Sequence, residues 1–254
     1  MPRRLPLAAA LALAAAVATT PLTLPKPAAA ADPLSAEQKD AVEKLVHDYL
    51  LNHPEVLIEA LQAAEQKQQQ LSMEQAQKAM KDRREELLAD PAAPVLGNPK
   101  GDVTIVEFFD YRCPYCKQMH AGIQALLGED KKLRFVAKEF PVLGKDSVTA
   151  SRAALAAQKQ GKYEPFHNAL LATKGQLNED AVMKAASSVG LDVDRLKEDM
   201  KSPDIETALK HNYALAQALD IRGTPAFVIG NELIPGAVDA ATIKEKVAAA
   251  RKSG

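Results

Sequence analysis

The sequence contains very little cysteine, since only Cys113 and Cys116 occur in 254 residues. After residue 31 it also lacks any apolar run that approaches the ~20 residues of a membrane-spanning helix. A basic excess is missing as well, with 32 Lys and Arg against 33 Asp and Glu. The scarcity of cysteine argues against a disulfide framework as the basis of the fold. The lack of long apolar runs predicts no later membrane helix, and the lack of a basic excess argues against nucleic acid as a partner.

The first 31 residues have the three-part pattern of a secretory signal. Arg3 and Arg4 precede an apolar run, residues 5–17, and small residues follow it. That run is too short to span a bilayer, so the pattern predicts export, cleavage near Ala31 and a periplasmic location. Losing three basic and no acidic residues changes the counts from 32 and 33 to 29 and 33, a formal charge of −4.

Residues 32–90 are predicted to form a helical arm. In the stretch SAEQKDAVEKLVHDYLL, apolar residues recur at the spacing of one helical face, and Ser35 can cap the helix. Pro54 indicates the first turn of a second helix. The apolar face has to be buried, either on the chain's own body or in a dimer or trimer formed through residues 35–70, and both remain open. The polar stretch at 65–86 has too few apolar residues to pack on a large core.

Residues 91–254 are predicted to form an α/β domain, after a boundary at 90–102 that is rich in proline and glycine. The predicted elements are a strand at 103–109, a helix from Cys113 to about Leu127, a strand at 133–140, a helical insertion at about 146–220, a hairpin at 226–234 and a last helix from Asp239. This order predicts a sheet covered by helices, with a helical insertion.

The two cysteines form the motif CPYC at the start of the predicted helix. Unpaired backbone amides and the helix dipole favour a thiolate there, so Cys113 is predicted to be the nucleophile. Cys116 faces the same side of the first turn and can attack a mixed disulfide on Cys113, which releases the substrate. Pro114 suits this turn because its missing amide would have no partner. The pair predicts thiol-disulfide exchange that needs no cofactor.

Three other uses of the cysteine pair are disfavoured. A structural disulfide that closes so short a loop contributes only about 2 kcal/mol in the chain-entropy model. A zinc site wants four ligands, and the motif offers two cysteines with His120 as a third candidate. Inert core cysteines do not fit export to an oxidising compartment. Because Cys-x-x-Cys beside a βαβ pattern is a redox signature, no metal site is predicted.

Two further positions bear on this chemistry. Glu107 lies in the middle of an apolar strand, where a carboxylate is costly without a partner. It shares a face with Ile105 and Phe109, so it is expected to point inward, where it could accept the proton of Cys116; a partly exposed strand residue is the alternative. Pro225 directly precedes a predicted strand, and a cis Thr224-Pro225 bond would expose the Thr224 backbone for pairing with an extended substrate.

The stretches EFFDYRCPYCK and GTPAFVIG resemble the thioredoxin superfamily, specifically DsbA-like proteins with a helical domain inserted into the thioredoxin fold. The resemblance covers about residues 93–252. It implies that Cys113 is the nucleophile, Cys116 the resolving thiol and Glu107 the buried acid. It further implies that Thr224 and Pro225 form the cis-proline loop that binds substrate, with Pro114 and Tyr115 as further substrate contacts.

The stretch LVHDYLLNHPEVLIEALQAAEQKQ resembles the oligomerisation arm of suppressor-of-copper-sensitivity C (ScsC) proteins, some of which are trimeric disulfide isomerases. Tyr115 stands where the best-known DsbA oxidases have histidine, and this favours reduction or isomerisation of disulfides. The implied partners are exported cysteine-containing proteins and a membrane thiol reductase. A monomeric DsbA-type oxidase and a copper-binding protein that uses Cys113 and Cys116 as ligands remain as alternatives.

Overall fold

The computed structural model describes residues 34–253, so the predicted signal segment, residues 1–31, lies outside the described part. The elements are α1 (Ala36–Asn52), α2 (Pro54–Asp82), α3 (Arg84–Leu88), β1 (Val95–Gly97), β2 (Val103–Phe109), α4 (Pro114–Glu129), β3 (Leu133–Glu139), α5 (Lys145–Gln158), α6 (Tyr163–Ala172), α7 (Glu179–Ser188), α8 (Val193–Asp199), α9 (Pro203–Ala218), β4 (Ala226–Ile229), β5 (Glu232–Pro235) and α10 (Ala240–Ser253). Within residues 34–253, none of these helices combines the length and apolar character needed to cross a membrane. The chain divides into two compact units, at Ala60 and Leu61.

The first unit contains α1, which begins where the sequence predicts. The Ser35 side chain accepts a hydrogen bond from the Gln38 amide, and the Gln38 side chain accepts one from the Ser35 amide, a reciprocal cap worth about 1 kcal/mol. Helix α1 has no buried residue, and the Leu45 side chain is 68% exposed. The apolar face that the sequence predicts for this helix is therefore uncovered in the single chain.

The second unit is built on a five-stranded sheet with the order β1-β3-β2-β4-β5. Strands β2 and β3 are parallel and are joined through α4, while the other three pairs are antiparallel. Strand β2 is rich in β-branched and aromatic residues, and both β2 and β3 are buried along most of their length. The parallel pair places the chain segment that follows β2, with both cysteines, at the carboxyl edge of the sheet.

Each face of the sheet carries its own apolar cluster. Ile105 and Phe109 of β2 point to the face covered by α4, α10 and the insertion formed by α5 to α9. Val106 and Phe108 point to the opposite face, covered by the ends of α9 and α2 and by α3. A mixed sheet with helices on both faces and a helical insertion confirms the predicted thioredoxin-like α/β architecture.

Helix α2 differs from the prediction for residues 65–86. This stretch is mostly polar, yet Ala76 and Met80 are buried, and Met80 belongs to the second cluster. The partly buried Ala79 packs against the same cluster, so this end of α2 meets the core although few apolar residues surround it. The expectation that this stretch does not pack on the core was wrong. The segment after α3 is attached to β3 by a buried ion pair, in which Asp90 Oδ2 lies 2.6 Å from Lys138 Nζ.

Candidate active site

A sharp turn between β2 and α4 positions the two cysteines. Asp110 Oδ1 accepts a hydrogen bond from the Arg112 amide at 2.7 Å, and Asp110 Oδ2 accepts one from the Leu143 amide at 2.9 Å. The Cys113 amide donates to the Asp110 carbonyl at 3.0 Å. These bonds hold the turn so that Cys113 caps α4 and Pro114 is the first helical residue, where its missing amide costs nothing.

Cys113 sits in surroundings that stabilise its thiolate. Both cysteines are free thiols. The pKa of Cys113 is lowered to about 5, mainly because the Cys116 thiol donates a hydrogen bond to the Cys113 sulfur. Burial of Cys113 opposes this shift. The Thr224 side chain and the backbone amides of Cys116 and Tyr115 add further hydrogen bonds to the sulfur. Cys113 is therefore a thiolate at neutral pH, which is the reactive form.

Cys116 has the opposite properties. It is 2% exposed, and its hydrogen bond to Cys113, its burial and the charge of Glu107 all raise its pKa. Two cysteines one helical turn apart thus differ in function: Cys113 holds the negative charge while Cys116 holds the proton. This asymmetry is what a nucleophile and a resolving thiol require.

Glu107 lies on β2 opposite Ala137 of β3 and Phe227 of β4, and it is 6% exposed. By strand alternation it shares the face of Ile105 and Phe109, the face whose cluster includes both cysteines. Burial and the negative charge of Cys113 raise its pKa to about 8. Glu107 is therefore an inward-pointing acid that holds its proton at neutral pH and interacts with the cysteine pair.

The loop before β4 completes the site. The Thr224-Pro225 peptide bond is cis, as the sequence predicts. In its thiol form Cys113 donates to the Thr224 carbonyl oxygen at 3.2 Å, so this loop adjoins the reactive sulfur. Tyr115 is 60% exposed at the rim, where it lines a groove of about 460 Å³ with Met119 and Val238. The fold thus brings Cys113, Cys116, Glu107 and Thr224 together and leaves Pro114 and Tyr115 on the exposed rim.

A second buried cluster next to the site was not predicted from the sequence. Glu139, at the end of β3, accepts hydrogen bonds from the hydroxyls of Tyr111 (2.9 Å), Tyr163 (2.7 Å) and Ser151 (2.6 Å). The Tyr111 oxygen also lies 3.0 Å from His167 Nδ1. Burial raises the pKa of Glu139 to about 8, although these hydroxyls oppose the shift.

This cluster joins the active-site turn to the helical insertion, because Tyr111 precedes Cys113 by two residues while Ser151 and Tyr163 lie on α5 and α6. The sequence carried one signal for it: Glu139 ends an apolar strand, as Glu107 interrupts one. No group of three metal-binding side chains occurs among residues 34–253.

A profile of the DSBA-like thioredoxin domain matches residues 104–248, the part of the chain that contains the site and the helical insertion. The chain belongs to the DsbA-like thioredoxin family. A second profile, the copper resistance protein ScsC N-terminal domain, matches residues 38–70. The family membership confirms the predicted resemblance, and the second match covers the segment that the sequence likens to an ScsC arm.

Two solved structures are similar to this DsbA-like chain over most of their length. A thioredoxin-like oxidoreductase from Silicibacter pomeroyi is 48% identical with a TM-score of 0.66, and the match covers 67% of this chain and 99% of that one. ScsC from Proteus mirabilis, in a transitional conformation, is 31% identical with a TM-score of 0.64 over 87% of this chain and 98% of that one.

The curated relatives are of two kinds. A Na(+)/H(+) antiporter NhaA 1 from Salinispora arenicola is 28% identical over 158 residues, 61% of this chain and 24% of the relative. The chain therefore spans about a quarter of the length of the relatives that it matches first. A probable disulfide bond formation protein D from Bacillus cereus is 29% identical over 166 residues, 60% of this chain and 77% of the relative.

The thiolate of Cys113 gives a pH-dependent reactivity that can be measured directly. We expect iodoacetamide to modify the reduced protein once, at Cys113, with a rate that rises to half its maximum near pH 5. An ordinary cysteine reaches that point near pH ~8.5, as both cysteines should in denaturant. Mass spectrometry across pH 3.5 to 9 is the measurement, with the denatured protein as control. A midpoint above pH 8 in the native protein contradicts the assigned environment.

Proposed function

We propose that this protein is a periplasmic thiol-disulfide oxidoreductase that reduces or isomerises disulfides in exported proteins. The observation that carries the proposal is the asymmetric cysteine pair, a low-pKa Cys113 and a proton-holding Cys116, beside the loop of Thr224 and Pro225. Thiol-disulfide exchange needs a thiolate, a second thiol and an accessible surface for the client chain, and no further cofactor.

The proposed reaction has two exchange steps. The Cys113 thiolate attacks a client disulfide, so that a bond forms between Cys113 and one client sulfur while the other client sulfur leaves as a thiolate. Reduction is completed when Cys116 loses its proton and attacks Cys113, which releases the client thiolate and leaves a Cys113–Cys116 disulfide. Isomerisation instead returns Cys113 as a thiolate when another client thiolate attacks the mixed disulfide. A membrane thiol reductase is the proposed donor of the two electrons that restore the dithiol.

The other site residues have proposed roles that follow from their positions. Glu107 accepts the proton that Cys116 releases once it is itself ionised. Formation of the mixed disulfide favours that ionisation, because it removes the Cys113 charge that helps to hold the Glu107 proton. Thr224 offers its backbone to an extended client segment next to the Cys113 sulfur, with Pro225 shaping the loop. Pro114 and Tyr115, on the rim, contact the client.

We propose three segments for the whole chain: a signal peptide at 1–31, a helical arm at 32–90 and a DsbA-like domain at 91–254 with its insertion at about 146–220. The arm assembles the protein into a homo-oligomer, a dimer or trimer, through residues 35–70. Two observations support this: the ScsC N-terminal match at 38–70 and the uncovered apolar face of α1. Paired active sites would let one subunit hold a client while another reshuffles its disulfides.

The test compares reactivation of scrambled ribonuclease by residues 32–254 and by residues 61–254, which form a compact unit. We expect the long form to reactivate it and the short form to lose at least tenfold of that activity, because exchange between neighbouring sites depends on local concentration. Both forms should keep the same reaction rate with oxidised glutathione, which needs only one site.

A matched pair of variants separates the apolar face from mere helix content. Leu45→Asp combined with Tyr49→Asp places charges on the apolar face of α1, whereas Lys44→Asp changes an exposed neighbour outside it. Only the first should lower the molar mass in solution and the reactivation rate. If residues 61–254 reactivate ribonuclease as well as the long form does, isomerisation does not depend on the arm.

Two other functions have an observation in their favour. The low pKa of Cys113 stabilises the dithiol state, a property that also suits a DsbA-type oxidase. A protein that oxidises reduced ribonuclease but does not reactivate scrambled ribonuclease fits that function. The match to a domain described as copper resistance favours copper binding by Cys113 and Cys116. Copper(I) titration of the reduced protein excludes this as the main role if its affinity is no better than that of a free dithiol.

A further inference from the structure

A large groove lies beside the cis-proline loop, entirely within residues 61–254, and Tyr115 does not line it. Its volume is about 1080 Å³. One wall is the part of α2 from Leu61 to Met80, and the other is formed by residues 219–226 and 231–236. The groove that Tyr115 lines is smaller, about 460 Å³, and contains no residue of α2. The sequence and the family match gave no role to this larger groove.

The α2 wall is held in place by its own packing and by a contact across the groove. Met80 belongs to the cluster beneath the sheet, and Ala76 is also buried. Ser72 Oγ donates to the carboxylate of Asp220 on the other wall. Directly after α2, Arg84 Nη1 of α3 donates to the Asn231 side-chain oxygen at 3.1 Å. The wall is therefore a fixed surface of this unit rather than a helix lying loosely beside it.

The groove extends to the loop that contacts the reactive sulfur. Thr224 and Pro225 line one part of it, and the Thr224 carbonyl oxygen is 3.2 Å from Cys113 Sγ. A polypeptide whose cysteine is attacked by Cys113 and whose backbone passes Thr224 can continue directly between the loop and α2. The α2 wall from Leu61 to Met80 is about 28 Å long at ~1.5 Å per residue, which matches about eight extended residues at ~3.3 Å each.

The lining suits an extended chain of varied sequence. Met73 is 55% exposed and, with Leu233, offers flexible apolar contacts. Gln68, Gln69 and Gln77 supply amides that donate to and accept from a peptide backbone.

The charges in the groove are largely matched. Asp220 pairs with Arg222 at 2.8 Å and Glu232 with Lys246 at 2.7 Å. The groove therefore has little net charge to attract a charged ligand. An uncharged or apolar client segment fits it better than an acidic or basic one.

We propose that this groove binds the extended client segment that flanks the attacked cysteine, so that α2 serves client binding as well as linking the arm to the domain. This inference rests on the proposed function and names its substrate class: unfolded, cysteine-containing polypeptide with apolar and uncharged residues next to the cysteine. The backbone of the segment lies against the glutamines, and its apolar side chains lie on Met73 and Leu233.

The test uses residues 32–254 with Met73→Asp and Gln77→Asp, two exposed groove positions outside the predicted oligomerisation segment. The matched control is Leu71→Asp with Gln75→Asp, which adds the same charge to exposed positions of α2 that do not line the groove. The rate at which scrambled ribonuclease oxidises each reduced protein is compared with the rate for oxidised glutathione, which is too small to use the groove. We expect the groove variant to react about tenfold more slowly with ribonuclease and at an unchanged rate with glutathione. The control variant should react with both at the wild-type rate.

The remaining outcomes are distinct from one another. Equal rates for the groove variant and the wild type with ribonuclease overturn the client-binding inference while the proposed function stands. A wild type that reacts with glutathione but with no protein disulfide overturns the proposed function itself. A lower molar mass for the groove variant, measured by light scattering, shows that a second copy of this chain occupies the groove, and this also overturns the inference.

Discussion

Replacing Cys113 with serine is expected to abolish disulfide exchange entirely, with both scrambled ribonuclease and oxidised glutathione. A serine hydroxyl at this position is not ionised at neutral pH and cannot form the sulfur–sulfur bond of the mixed disulfide. The loss should exceed a thousandfold, because Cys116 is buried and its pKa is raised, so it cannot take over as nucleophile. Retained turnover in Cys113→Ser would exclude the proposed mechanism.

Cys116→Ser provides the matched control for that experiment. This variant keeps the nucleophile but loses the resolving thiol, so it should accumulate as a mixed disulfide with its client that is visible on a non-reducing gel. In Cys116→Ala, which removes the donor altogether, the pKa of Cys113 should rise above about 5, since the Cys116 thiol is the main hydrogen-bond donor to that sulfur. If Cys116→Ser forms no mixed disulfide while Cys113→Ser does, the two roles are reversed.

Replacing Glu107 with glutamine is expected to slow the resolution step by about a hundredfold, the low end of the effect of a positioned base. The wild-type decay of the mixed disulfide should accelerate as Glu107 ionises, and Glu107→Gln should lose this dependence. The ionisation is expected below about pH 8, because the mixed disulfide lacks the Cys113 charge that helps to raise this pKa. The reaction with iodoacetamide at Cys113 should stay fast, since attack by the thiolate needs no base. Quenched-flow measurement of mixed-disulfide decay separates the two steps.

The pH dependence of stability shows whether Glu107 is the group that titrates, and so separates a role as base from a structural role. The pKa of Glu107 is about 8 in the folded protein and 4.5 in its ordinary state, so the folded state binds the extra proton between these values. The free energy of unfolding should therefore fall as pH rises from about 4.5 to about 8, and Glu107→Gln should reduce this slope to the part that Glu139, whose pKa is also about 8, contributes. A variant that loses activity but keeps the slope would show that Glu107 is not the titrating group.

The central elements were predictable because their signals are local. The strand at residues 103–109 and the helix beginning at Pro114 follow from β-branched composition and from proline in a first turn. The buried position of Glu107 followed from strand alternation alone. The cis bond before Pro225 followed from a proline that directly precedes a strand.

Features that depend on distant partners were missed. Strand β1, Val95–Gly97, lies in a segment rich in proline and glycine that reads as a boundary loop, and it exists because β3 offers it an edge. Only two residues of α2, Ala76 and Met80, are buried, and no periodicity over the polar stretch reveals them. The groove beside α2 likewise combines segments about 150 residues apart in sequence, so its position required the fold.

The cluster around Glu139 has a consequence for engineering. Of the three hydroxyls that donate to this carboxylate, Ser151 and Tyr163 belong to the insertion, while Tyr111 belongs to the active-site turn. Exchanging the insertion for one without these two hydroxyls would leave Glu139 buried with a single hydroxyl donor, at a cost of several kcal/mol. Residues 145–218 therefore cannot be replaced by the insertion of an arbitrary relative. The replacement should fold stably only if it has a hydroxyl at the positions of Ser151 and Tyr163, or if Glu139 is changed as well.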